Sequence, residues 1–151
     1  MMFKTHLALG ILAMLLFLPK IDSKFTFIII VLIATLLPDI EQGYSKLGQN
    51  KLFRPLQFFV RHRGMMHSFT ICFLASLILV YFPQTVQWAL PFFLGYGVHL
   101  FADAFTLEGI KPFWPYKGVS KGFLKTGSYT ETSLFVVLIL LDIFAAVVVF
   151  R

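Results

Sequence analysis

The chain has 151 residues, a length suited to one domain; 58% of them are apolar, only 13% are charged, and the mean hydropathy is +0.83. A soluble domain carries about 25% charged residues, so this balance argues against an ordinary soluble protein and for one embedded in a membrane. The formal charge of +6 is spread through loops between apolar segments, which suits a membrane surface or a phosphate-bearing substrate and does not suggest nucleic acid.

Five apolar segments follow in chain order, at Phe3–Leu18, Phe25–Leu37, Met65–Phe82, Val86–Thr106 and Thr132–Phe150. They predict an all-α integral membrane bundle of about five transmembrane segments, with residues 1–151 forming a single domain. A full crossing needs about 20 residues for a hydrocarbon core of about 30 Å. The fourth and fifth segments reach that length. The first two are short and imply a locally thinned bilayer, polar ends buried among neighbours, or a re-entrant hairpin. Pro19 with Asp22-Ser23 makes the turn between them. No cleavable signal peptide is expected, because Leu16 to Pro19 offers no small-residue cleavage site. Cys72 lies alone in an apolar run and reads as a small buried hydrophobe. The stretches Lys51–Arg61 and Lys111–Lys117 mix cations with large apolar residues, as interfacial segments do.

Threaded as five crossings, the chain sorts its basic residues unevenly. One side receives Lys4, Lys46, Lys51, Arg54, Arg61, Arg63, Lys111, Lys117, Lys121 and Lys125; the other receives Lys20, Lys24 and Arg151. The positive-inside rule makes the first side cytoplasmic, with the N-terminus in and the C-terminus out, in a cell (inner or plasma) membrane. The same threading puts His6, Asp39, Glu41, His62, His67, His99 and Asp103 on that cytoplasmic side. Charge bias and polar clustering are independent, and they agree.

His99 and Asp103 are four apart, so on a helix they share a face and suit one metal ion. A satisfied polar pair inside a bundle fits equally well for the pair alone. Ionisable groups inside membrane segments are expensive, however, and usually functional. Pro38 breaks the second segment and leaves Asp39 at its boundary. Glu41 reads as a second ligand, a general base or a solvated loop acid. His62 and His67 are about 140° apart on a regular helix, and Gly64 permits a turn that brings both inward. His67 begins an apolar run and suits a metal ligand. His62, flanked by Arg61 and Arg63, is held toward its neutral form and suits a ligand or base. Arg61 and Arg63 suit a phosphate clamp, or the plainer role of anionic-lipid contact. His6 gains its case from the others, and Gly10 one turn on allows close helix approach.

Imidazole and carboxylate without thiolate favour zinc, with manganese or iron also compatible. Three or four ligands with an open position lower the pKa of a bound water to about 7. Asp142, in the middle of the last segment, has no chemical role in this scheme.

The strings Thr5-His6-x-x-x-Gly10, Leu37-Pro38-Asp39-x-Glu41, His62-Arg63-Gly64-x-x-His67-Ser68 and His99-x-x-x-Asp103, then Thr106 and Gly109, resemble the YdjM-like family of membrane-bound metal-dependent hydrolases. The likeness covers about residues 4 to 115 and implies a reaction class without a defined substrate. The ligand order His6, Asp39, His67, His99, Asp103 is distantly similar to that of zinc-dependent phospholipase C and the single-strand zinc nucleases. Those enzymes carry a second ligand set and a metal-binding Trp that this chain lacks, so one ion, or two sharing Asp103, fits better than three.

The resulting expectation is a membrane-embedded hydrolase of a phosphoester in a lipid or lipid-linked molecule. Metal would sit on His6, Asp39, His67, His99 and Asp103, with Glu41 or His62 moving protons and Arg61 and Arg63 holding phosphate. The alternatives are a non-enzymatic metal carrier or sensor, and a structural membrane protein.

Overall fold

The computed structural model describes residues 1–41 and 65–151. Among the described residues the chain forms five α-helices and no strand. Helix α1, Phe3–Phe17, tightens into a 3-10 turn at Leu18–Lys20, with Pro19 near its start. Helix α2, Lys24–Leu36, ends the same way in the turn Leu37–Glu41, where Pro38 has no N–H to continue the helix. Helix α3 spans Phe69–Tyr81 and is capped by Ser68, whose hydroxyl accepts the Ile71 N–H. Helix α4 spans Val86–Ala104 and α5 spans Tyr129–Phe150, the latter capped by Ser128. Between them, residues 105–128 double back on themselves through isolated bridges at Thr106–Leu124 and Ile110–Ser120.

Helix α4 is the centre of the bundle: α2, α3 and α1 all pack on it, and α5 lies against α1. Glycines set the closest approaches. A Cβ at Gly95 would collide with the Val31 carbonyl oxygen of α2, and one at Gly10 would stand 2.6 Å from Thr35 Oγ1. Gly95 thus lets the backbones of α4 and α2 meet directly, and Gly10 makes room on α1 for the Thr35 side chain at the same level. Below that level Met14, Leu15, Leu18, Phe27 and Val31 form one apolar cluster. At the level of the glycines Ala34, Cys72, Tyr96, Leu100 and Ile110 form another. Helices α1 and α5 run parallel. Met2 and Glu131 meet at their starts, while Ala145, Ala146 and Val149 reach the Met14–Leu18 cluster further along.

The outer surface is apolar. Phe25, Phe73, Ile78, Leu140, Phe144 and Val148 are all more than half exposed, as a lipid-facing surface requires. Among the described residues, two helices are long and apolar enough to cross a membrane by themselves. These are the stretch Phe3–Lys20, which the 3-10 turn extends beyond the short first segment expected from sequence, and α5. Helix α4 has 19 residues but dilutes its apolarity with Gln87, His99 and Asp103; α2 and α3 have 13 each. Asp142 lies inside α5, 7% exposed, and neither of its carboxylate oxygens has a hydrogen-bond partner among the described residues.

Replacing Gly95 with Ala forces backbone apart and is expected to cost about 1–3 kcal/mol, read as a lower melting temperature in detergent. Asp142→Leu removes an unsatisfied buried acid. It should raise stability by roughly 1–3 kcal/mol in the same melt.

Candidate metal centre

Four of the five helices contribute one end to a common level. Helix α1 brings His6 in its first turn, and α2 leads through Pro38 to Asp39. The turn before α3 brings His67, and α4 brings His99 and Asp103 in its last turns. Four of the five side chains are fully buried and Asp39 is 5% exposed.

Helix α2 ends with carbonyls that lack partners within the helix, and one of them, Thr35 O, lies 2.7 Å from His99 Nδ1. A carbonyl can only accept, so Nδ1 carries the proton and Nε2 keeps its lone pair. The His6 ring stacks on that of His99, centroids 3.8 Å apart and planes within 10°. His67 meets His99 edge-on at 5.5 Å. Asp103 gathers the three imidazoles. Its Oδ1 lies 3.2 Å from His6 Nε2, and its Oδ2 lies 3.6 Å from His67 Nε2 and 3.8 Å from His99 Nε2. Asp39 Oδ1 is 3.8 Å from the same His99 nitrogen.

Two ligand sets result, His6–Asp39–His99 and His67–His99–Asp103, each with its donor atoms within 4.8 Å of one another and sharing His99. Two atoms bound to one ion at about 2.1 Å can stand no further apart than about 4.2 Å. Within the sets, the separations of 3.6 Å for His67–Asp103 and 3.8 Å for both His99–Asp103 and His99–Asp39 satisfy that limit. Burial without partners is a second test of fit. His6 Nδ1 and Nε2, His99 Nε2 and Asp103 Oδ2 are buried with no hydrogen bond among the described residues. Such orphans are costly and rare, and a divalent cation held there would give lone pairs on several of them a partner. A cation already stands nearby, for the Met1 ammonium pairs with Asp103 Oδ1 at 2.5 Å. The centre therefore attracts positive charge and fits an ion held by imidazole and carboxylate. Burial raises the Asp39 carboxyl above its ordinary range, partly opposed by His6.

Several supports carry no ligand atom. Tyr96, 1% exposed, donates its hydroxyl to the Met66 carbonyl at 2.5 Å and so places the residue before His67. Thr106 lies just beyond α4. Its hydroxyl donates to the Asp103 carbonyl at 2.7 Å and accepts the Gly109 N–H at 3.2 Å, securing the helix end. Glu131 is fully buried; Oε1 accepts the Met2 N–H at 2.5 Å and Oε2 the Gly127 N–H at 2.7 Å.

The five expected ligands, His6, Asp39, His67, His99 and Asp103, are thus brought together. Glu41 closes the 3-10 turn, but its side chain, with Arg61, His62 and Arg63, lies outside the described residues. Tyr96, Thr35 and Glu131 were not foreseen. Only Glu131 had a visible signal, the Ser128-x-x-Glu131 spacing of a capping box ahead of an apolar run.

These features define an all-helical membrane protein with a buried histidine–aspartate cluster at one end of its bundle. A family model described as YdjM inner membrane protein matches residues 1–150, and the chain belongs to that family. Neither the curated proteins nor the solved structures yield a match.

Tyr96→Phe removes the hydrogen bond that the Met66 carbonyl accepts from the Tyr96 hydroxyl. It should cost about 1–3 kcal/mol, measured by thermal melting.

Proposed function

We propose that the protein is a membrane-embedded metal-dependent hydrolase acting on a phosphoester in a lipid or lipid-linked molecule. The observation that carries this reading is the convergence of three imidazoles and two carboxylates, with orphaned lone pairs, at one end of an apolar bundle. A structural polar core would be expected to pair its members with hydrogen bonds; here the Nδ1 of His6 and the Nε2 of His99 have none among the described residues. The excess of Lys and Arg on the loops at the ligand end supports a cytoplasmic orientation for the site.

In this reading His6, Asp39, His67, His99 and Asp103 hold one or two divalent ions, zinc by preference. When bound, such an ion activates water near neutral pH and polarises a phosphoryl oxygen. The chain's own groups do the rest. The Thr35 carbonyl fixes the His99 tautomer, and Asp103 reaches ligands on α1, α4 and the turn before α3. Glu41 or His62 relays the proton, and Arg61 and Arg63 hold the phosphate. Burial of the five ligands within the helix ends excludes bulk water, and the surrounding bilayer supplies substrate from the leaflet.

The test is metal analysis of the purified protein together with a screen of phosphomonoesters and phosphodiesters. Expected are one or two ions per chain and hydrolysis of at least one class. His99→Ala and Asp103→Ala should lose both ion and activity while helix content persists. Absence of a bound transition metal, or metal content indifferent to both substitutions, overturns the proposal. Metal bound with no hydrolysis favours a carrier or sensor instead.

A further inference from the structure

The lipid-facing surface between α3 and α4 is grooved. A hollow of about 400 Å³ is lined by Phe69, Phe73, Phe93 and Phe113 among others. A second of about 250 Å³ shares Phe69 and Phe93 and adds Gly97 and Phe101. Phe69 stands two residues after His67, with its N–H bound to the Pro112 carbonyl at 2.8 Å, and Phe101 stands two residues before Asp103. The upper end of the groove is therefore within one turn of two ligands. From residue 101 to residue 93 it descends α4 by about 12 Å.

Gly97 is what singles this groove out. Glycine weakens a helix relative to alanine, and elsewhere in α4 it has a packing reason, since Gly95 meets the Val31 carbonyl. Gly97 has none: a Cβ there would find no atom within 4 Å among the described residues. Its absent side chain widens the groove and serves no helix contact. Phe73 and Phe101 are more than half exposed, so the groove is continuous with the surface bathed by hydrocarbon tails. Its aromatic walls offer a water-soluble ligand almost nothing to bond, whereas a methylene chain can pack along them by dispersion contacts.

We propose that this groove seats one acyl chain of the lipid substrate, with Gly97 holding it open and the headgroup phosphate delivered to the ligand end; this rests on the phosphoester-hydrolase reading. The test uses the full chain in detergent, loaded with zinc, as wild type and as Gly97→Leu. The added side chain enters open space, so the fold and metal content should not change. Two readouts are compared: retention of dioleoyl phosphatidic acid by native mass spectrometry, and hydrolysis of dioleoyl against dihexanoyl phosphatidic acid.

Gly97→Leu should weaken dioleoyl binding and raise its KM about tenfold or more, with kcat/KM for the dihexanoyl lipid within twofold. Phe73→Trp, which narrows the opposite wall from an exposed position, should act in the same direction and serves if Gly97→Leu does not fold. Equal loss on both lipids, or no change in retention or KM, overturns the groove as a chain site. Failure of the parent reading looks different. Dioleoyl lipid retained by wild type and lost from Gly97→Leu, with no turnover of any phosphoester, upholds the groove and removes the hydrolase.

Discussion

The contact between the Thr35 carbonyl and His99 Nδ1 holds the centre together, because Thr35 is where three helices are registered against one another. Its carbonyl orients the His99 ring, its own hydroxyl is bound 2.8 Å from the Val31 carbonyl, and its side chain faces the space vacated by Gly10. Helix α1 can therefore bring His6 close enough to stack on His99. Gly95 performs the same service for α4, four residues before the imidazole it delivers. Widening either approach by a single methyl group would pull His99 from its carbonyl and His6 from its stack together. The placing of His6 and His99 is thus a by-product of helix spacing, while Asp39 and His67 depend on the turns that carry them.

Placing this cluster at one end of the bundle also resolves an electrostatic difficulty. Two carboxylates and three imidazoles buried in an apolar protein would be prohibitive at mid-depth, where ionisable groups are expensive. Asp142 shows the cost of that position: neither of its carboxylate oxygens has a hydrogen-bond partner among the described residues. At the helix ends, carbonyls, cap hydroxyls and the Met1 ammonium are within reach. The polar groups share one level and leave the remainder of the chain free to face lipid.

The sequence was informative where polarity interrupts apolar periodicity. Helix positions follow the apolar runs closely, and the spacing of His99 and Asp103 on one face is as anticipated. Gathering His6, Asp39 and His67 with them followed from threading the runs alternately. Other features had no signal of that kind. The partner of His99 is a backbone carbonyl, whose location depends on where Pro38 and the helix end place it and is independent of the Thr side chain. The Tyr96–Met66 bond joins a polar tip to a main-chain atom 30 residues away, and Tyr in an apolar run reads as packing. The extension of α1 through Leu18–Lys20 was hidden because Pro19 looked like a stop, whereas a proline near the start of a 3-10 turn continues the rise. Gly97 and Gly95 are two letters apart and indistinguishable as text; only the neighbours of each separate them.

The bond from Glu131 to the Met2 N–H joins positions 129 residues apart and clamps the first turn of the helix that carries His6. The clasp closes only when α5 docks against α1, so the brace on the turn that seats the first imidazole is supplied by the fifth helix and by none of the four that surround the cluster. Seating of His6 is in this way coupled to the docking of a helix that contributes no ligand.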